Sequence, residues 1–309
     1  MTNIQNYMPK MIMMCGLVAS GKSTHSKELA EKYNATIFSS DELRIEMFGD
    51  VNDQEHNQDL FVELHKRIKD CLNSGKSAIY DACNLNYKRR MAFIAELKNI
   101  PCKKVCVVIA TPYEECLRRN AERDRKVPEH VITRMYHNFN IPYWYEGWND
   151  IQIVGLPCSH YNVDEVVNAL IDYHQGNSHH TFTLGCHLWG AYDYYCKHYL
   201  DEDRDTVTSI ATVLHDIGKP TCRSEVNSRG INDGNSHYYN HQYTSAYDSL
   251  FVNSTFNRLD IAIRIMWHMQ PYFWEKDNNE KTHNKYRKLW GEDLYHDIMH
   301  LHDADKNAH

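Results

Sequence analysis

Gly16-Leu17-Val18-Ala19-Ser20-Gly21-Lys22-Ser23-Thr24 is the stretch whose reading decides the fold of the first half of this chain. It fits G-x-x-x-x-G-K-[ST], with Gly16, Gly21, Lys22 and Ser23 in the fixed places. The apolar run Met11–Cys15 before it reads as a buried strand, and Ser23–Tyr33 after it has helix-forming composition. A loop between such a strand and helix aims successive backbone N–H groups, and the positive helix end, at phosphate oxygens. The pattern predicts a nucleoside-triphosphate site formed by Gly16, Ser20, Gly21, Lys22, Ser23 and Thr24. Lys22 would reach the β- and γ-phosphates of ATP, and the Ser23 hydroxyl would ligate Mg²⁺. The bland alternative, a glycine-containing turn that matches by chance, fits the strand-then-helix context poorly.

Working outward, a short strand Thr36–Phe38 leads into Ser39-Ser40-Asp41-Glu42-Leu43-Arg44. Ligands of open α/β sheets sit beyond the C-terminal strand ends, so Asp41 and Arg44 are placed to face a nucleotide. Asp41 reads equally well as a base for an attacking hydroxyl and as a helix cap. Phe61, Leu64, Ile68 and Leu72 recur at helical spacing, a core pattern. The strand Ser77–Tyr80 ends at Asp81, where a P-loop protein is expected to carry its metal-side carboxylate. Val105–Ala110 is a further buried strand. Arg118, Arg119, Arg123, Arg125 and Lys126 follow within nine residues, either a solvated helix face or a lid whose arginines neutralise a transferred phosphoryl group. Tyr143, Trp144, Tyr145 and Trp148 read as core or domain contact in preference to a base-stacking surface.

Composition narrows the classes. The 309 residues suit two ordinary domains. No apolar run approaches the roughly 20 residues of a membrane span, and the first residues lack the pattern of a signal peptide. Ten cysteines are scattered without a C-x-x-C pair, so free thiols and a cytoplasmic location are expected. A net charge of −7 argues against non-specific binding of long nucleic acid, though not against gripping a strand end through a local basic patch. Five of the 20 histidines precede residue 151 and fifteen follow it. The turn Gly155-Leu156-Pro157 is expected to close the first domain, and Gln175-Gly176-Asn177-Ser178 reads as a joint, with helix-like Val163–Tyr173 between them.

In the second half, His187 lies on an apolar helix face with Leu184, Ala191 and Tyr194. His215-Asp216 ends the helix Val207–Leu214, and Gly218 breaks it. His241 opens a helix, and His268 shares a face with Ile261 and Ile265 on a helix stopped by Pro271. Asp305 sits at the centre of the stripe Leu294, Ile298, Leu301. A single histidine on an apolar face is usually a satisfied core residue. A buried unpaired carboxylate is too costly to dismiss in that way, and the six positions together suggest a metal centre. Mixed imidazole and carboxylate ligands suit Mn²⁺, Fe, Ni, Co or Zn.

The P-loop, Asp41-x-x-Arg44, Asp81-x-x-Asn84-Leu85-Asn86 with Arg89-Arg90, and Arg119-Asn120 leading to Val127-Pro128 occur here in that order. Over roughly residues 10–155 the chain resembles the polynucleotide 5′-kinase domain of phage end-healing enzymes. The resemblance implies that Asp41 is the base on a 5′-hydroxyl and that Arg44 grips the acceptor-side phosphate. It makes Arg123 the lid arginine, with Arg125 as its substitute because the spacing to Val127-Pro128 is one residue short. The order H…HD…H…H…D, with Lys219 three residues after Asp216, resembles the HD phosphohydrolase superfamily over 179–309. This implies metal roles for His187, His215, Asp216 and Asp305, with His241 and His268 adding a second ion. Lys219 would act at the phosphate or leaving group, and Asp303 stands in for Asp305 if the register differs.

The resulting expectation is an α/β P-loop kinase domain over 1–155, a linker and helix over 156–178, and an all-α HD domain over 179–309. The function expected is bifunctional healing of RNA ends, with ATP and Mg²⁺ in one domain and one or two transition metals in the other. Nucleic-acid ends, RNA before DNA, and a separate RNA ligase would be its partners. A nucleoside or small-metabolite kinase fused to an HD nucleotidase is the alternative.

Overall fold

Three runs of buried residues form the central strands of a five-stranded parallel sheet, apolar enough to be covered on both faces, with two partly buried strands at its edges. The structure is a computed structural model that describes residues 8–155, 161–176, 181–200, 206–252, 256–277 and 280–308. Residues 156–157 of the expected closing turn and 177–178 of the expected joint lie outside that set. The chain divides into two units, Met1–Ile132 with Pro142–Leu156, and Thr133–Ile141 with Pro157–His309.

In the first unit the strands are β1 (Lys10–Cys15), β2 (Ala35–Ser39), β3 (Ser77–Asp81), β4 (Lys103–Ile109) and β5 (Asp150–Val154). They lie in the order β2-β3-β1-β4-β5, every pair parallel. Since β1 is followed two places away by β2 and is flanked by β3 and β4, a crevice opens above its C-terminal end, where such sheets bind ligands. The helices are α1 (Lys22–Tyr33), α2 (Ser40–Phe48), α3 (Asn57–Asn73), α4 (Tyr87–Glu96), α5 (Tyr113–Glu122) and α6 (Glu129–Tyr136), whose last residues belong with the second unit. The stripe of α3 is buried at Leu60, Leu64, Ile68 and Leu72, with Phe61 one position off it and half-buried. The aromatic run divides: Tyr143 and Trp148 are buried, Trp144 and Tyr145 exposed.

The second unit is mostly helical: α7 (Val163–Asn168), α8 (Leu184–Tyr199), α9 (Thr206–Leu214), α10 (Lys219–Cys222), α11 (His241–Ser249), α12 (Arg258–Trp267), α13 (Gln270–Asp277), α14 (Glu280–Trp290) and α15 (Glu292–Asn307). It is not purely so. Strands β6 (Arg223–Ser224) and β7 (His237–Tyr238) pair antiparallel. Two further expectations change. The helix-like stretch from Val163 stops at Asn168, and Pro271 does not stop the helix bearing His268. That helix ends at Trp267, and Pro271 is the second residue of α13, a first-turn position where its missing N–H costs nothing. Helices α8, α9, α12 and α15 pack on one another, with α11 against α12. No helix among the described residues is long and apolar enough to cross a membrane.

Candidate functional site

The first site is the cleft above β1, about 460 Å³ in volume. Gly16 must be glycine here: a Cβ would stand 2.8 Å from Ser20 Oγ and 3.2 Å from the Ile109 carbonyl. Gly21 caps α1 at φ +102°, a left-handed conformation that glycine adopts freely. Lys22 donates to the carbonyls of Gly16 (3.1 Å) and Leu17 (2.6 Å), so its ammonium folds back over the arc of the loop. Ser23, Thr24, Asp41 and Asp81 also line the cleft, while Ser20 is buried beneath it and its carbonyl accepts from Thr111 Oγ1 at 2.9 Å. Burial raises the Asp81 carboxyl above its ordinary range, and Lys22 opposes the shift.

The basic run separates by side. Arg118 pairs outward with Glu115 and Glu122. Arg119, Arg123 and Arg125 line the cleft, and Arg125 holds Asp41 at 2.9 Å. Ser39, not Asp41, caps α2, accepting from the Glu42 N–H, which leaves the Asp41 carboxylate facing the cleft. Arg44 is placed differently from the role the resemblance implies. It is buried, donates to the Asp53 carbonyl and to Asn57 Oδ1, and is not among the cleft-lining residues. Behind the cleft, Arg90 and Glu146 form a bidentate pair, 2.8 and 2.6 Å, with both side chains at most 1% exposed. Arg90 also donates to the Asn84 carbonyl at 2.9 Å, bracing the loop that follows Asp81.

The second site lies inside the helical unit. His187, His215, Asp216 and Asp305 converge, as do Asp216, His241 and His268, all buried, with ligand atoms within 4.8 Å of one another in each group. Each histidine commits Nδ1 to a backbone carbonyl: His187 to Ala308, His215 to Thr212, His241 to Tyr238 and His268 to Ile265. A carbonyl can only accept, so each Nδ1 carries a proton and each ring turns its Nε2 inward. His187 Nε2 then faces His215 Nε2 at 3.4 Å, and His241 Nε2 faces His268 Nε2 at 3.4 Å. Lone pairs this close, beside carboxylates, need positive charge between them. Asp216 spans both groups, with Oδ2 toward His215 (3.3 Å) and Oδ1 toward His241 (3.0 Å); Oδ1 makes no hydrogen bond. The two groups are thus donor sets that could each hold a metal ion, and Asp216 belongs to both.

Electrostatics point the same way. Burial opposes charge on His215, but Asp216 and Asp305 outweigh it and raise the ring to about 10. Against the cost of burial, Lys219 and His215 hold Asp216 well below the carboxylate range, and His215 and His187 do the same for Asp305. His268, in contrast, is pushed by burial down to about 4. Lys219 Nζ sits 2.6 Å from Asp216 Oδ2. The register at the C-terminal helix is that of Asp305, since Asp303 instead accepts from Tyr194 and Tyr199. Two residues here had no signal in the sequence: Tyr272, which donates to Asp305 Oδ2 at 2.9 Å, and Gln175, which accepts from Lys219 at 2.7 Å. Gly218 did carry one, as the helix breaker after His215-Asp216. A Cβ there would stand 2.6 Å from the Ser245 nitrogen, so the turn lies directly against α11.

Comparison with known proteins bears on the first of these sites. Residues 11–142 match the family model AAA_33, an AAA domain. L-seryl-tRNA(Sec) kinase of Methanococcus maripaludis is 26% identical over 172 residues, covering 54% of this chain and 67% of that protein. Among solved structures, a chain of the Pnkp1/Rnl/Hen1 complex is similar at 21% identity and TM-score 0.34, covering 38% of this chain and 41% of that one. A gluconokinase from Sinorhizobium meliloti 1021 is similar at 16% identity and TM-score 0.36, covering 48% and 83%. The chain thus spans less than half of that repair-complex chain. The family match covers the residues that form the P-loop cleft.

Proposed function

We propose that this chain heals nucleic-acid ends, RNA ends above all. The first unit transfers the γ-phosphoryl group of ATP to a 5′-hydroxyl, and the second removes a 3′-phosphate or a 2′,3′-cyclic phosphate. The observation that carries this reading is the presence on one chain of two sites: a P-loop cleft holding Lys22, Asp41 and Asp81, and a buried centre of four imidazoles and two carboxylates. The relative named for a seryl-tRNA kinase supports an acceptor carried by RNA. A separate ligase would then seal the healed ends.

In the kinase, Lys22 leaves the loop carbonyls for the β- and γ-phosphates while Ser23 and Asp81 serve the Mg²⁺ side. Asp41 takes the proton of the 5′-hydroxyl as its oxygen bonds to the γ-phosphorus and the bond to the β-phosphate oxygen breaks. Arg125 covers that carboxylate in the resting cleft, so it must swing away before transfer, and Arg123 beside it is the lid arginine on the donor phosphates. In the second unit, His187, His215, Asp216 and Asp305, and Asp216 with His241 and His268, would hold metal, which when bound would supply a water acidic enough to attack at neutral pH. Lys219 presents its ammonium to a phosphate or leaving-group oxygen.

The test is substrate choice. Labelled ATP should phosphorylate a 5′-hydroxyl oligoribonucleotide and leave free nucleosides untouched, and the same protein should release phosphate from a 3′-phosphate end only when metal is supplied. Equal use of nucleosides would favour nucleotide metabolism instead.

A further inference from the structure

We infer that Gln175 is a positioning residue of the second unit, fixing the Lys219 ammonium at the edge of the metal centre; this rests on the phosphohydrolase reading above. Lys219 is 4% exposed and Gln175 2%, so the ammonium depends on protein partners to offset its lost hydration. It has Asp216 Oδ2 at 2.6 Å and Gln175 Oε1 at 2.7 Å, with the ring of Tyr238 5.6 Å away. These two oxygens help set its direction. An amide oxygen is chemically suited to this task. It accepts one N–H without adding a second negative charge beside that of Asp216, as a carboxylate would.

Gln175 is itself held from both sides along the chain. Its carbonyl accepts from Tyr238 Oη, the His174 carbonyl accepts from Arg223 at 3.0 Å, and the Gly176 carbonyl accepts from the Ser236 N–H at 2.8 Å. Gly176 has φ +63°, and a Cβ there would stand 2.5 Å from Ser236 Oγ, so the backbone lies directly on the β6–β7 ribbon. Residues 174–176 thus form a strap clamped to that ribbon, and the strap delivers one side chain to Lys219. The short strands that depart from an all-helical unit acquire a purpose: they anchor it. The hydrolase machinery then begins by residue 174, and a boundary at 179 would cut away one of its parts.

The experiment uses the full-length chain with Gln175→Leu and the near-isosteric Gln175→Glu. Four quantities are measured: bound metal, affinity of the metal-loaded protein for inorganic phosphate by calorimetry, kcat and KM on a 3′-phosphate oligoribonucleotide, and 5′-phosphorylation. Gln175→Leu should keep metal and kinase activity and lose about 10- to 100-fold in kcat, in the range of other outer-shell partners. Gln175→Glu should also keep its metal, yet bind phosphate more weakly, because its charge offsets that of Lys219. Phosphate affinity and turnover within twofold of wild type in both variants would overturn the inference. So would loss of metal in step with activity, which would make Gln175 part of the framework only. A wild-type chain with neither metal-dependent hydrolysis nor phosphate binding would remove the phosphohydrolase reading itself, and Gln175's role with it.

Discussion

An imidazole whose Nδ1 proton is spent on a backbone carbonyl has a single lone pair left to offer, and here four of them point at two carboxylates. Without metal, protons must do the work of the cation. His215, raised to about 10 in the folded state, then contributes stability that is fully present below its unfolded value near 6.5 and is lost as pH rises toward 10. His268, lowered to about 4, acts oppositely, costing stability as pH falls from 6.5 toward 4. The chelated protein should therefore be most heat-stable near pH 6.5 and lose melting temperature by pH 9.5. Metal-loaded protein should not show the alkaline loss, since coordination replaces those protons. Melting curves against pH, with and without Mn²⁺, check this. In the other unit, Asp41→Ala should cost about 10²- to 10⁴-fold in phosphoryl transfer, the range for a general base, while ATP binding survives. Lys22→Ala should damage both, and equilibrium ATP binding beside single-turnover transfer separates the two cases.

At the scale of elements, the loop after β3 is fixed by a charge pair with almost no water. Removing one partner leaves the other buried and uncompensated, so Glu146→Ala should lower stability by about 3–5 kcal/mol, whereas Arg90→Met with Glu146→Leu should recover most of it. Denaturant titration of the three proteins checks this, and recovery by the double variant is the decisive comparison. That pair also illustrates where sequence reading stops. Arg90 stood in a motif without a role, and its partner lies 56 residues away in a short helical turn that no periodicity announces. Strands β1, β3 and β4 were legible because an unbroken apolar run permits few other fates, and the P-loop because its spacing encodes one backbone path. Arg44 misled for the same reason that it looked informative. Its spacing from Asp41 fits the family pattern, but the Asp53 carbonyl and Asn57 hold its Nη1 away from the cleft lining. Gln175 and Tyr272 were invisible because a neutral side chain that reaches Lys219 or Asp305 only in space leaves no pattern along the chain.

For the whole molecule, the question is whether two chemistries coexist independently. On the proposed reading the P-loop cleft would take Mg²⁺, a hard ion that keeps its waters, and the imidazole-rich centre a softer metal. No motif residue is shared between the two sites. The most direct test is one RNA bearing a 5′-hydroxyl and a 2′,3′-cyclic phosphate, incubated with ATP and wild-type, Lys22→Ala or Asp216→Ala protein. Both ends are analysed, and the metal content of each protein is measured. Wild type should yield a 5′-phosphate and a processed 3′ end. Asp216→Ala should lose 3′ processing and its transition metal while keeping 5′-phosphorylation within a few-fold, and Lys22→Ala should do the converse. Loss of both activities in a still-folded Asp216→Ala protein would contradict the account and point to one composite site.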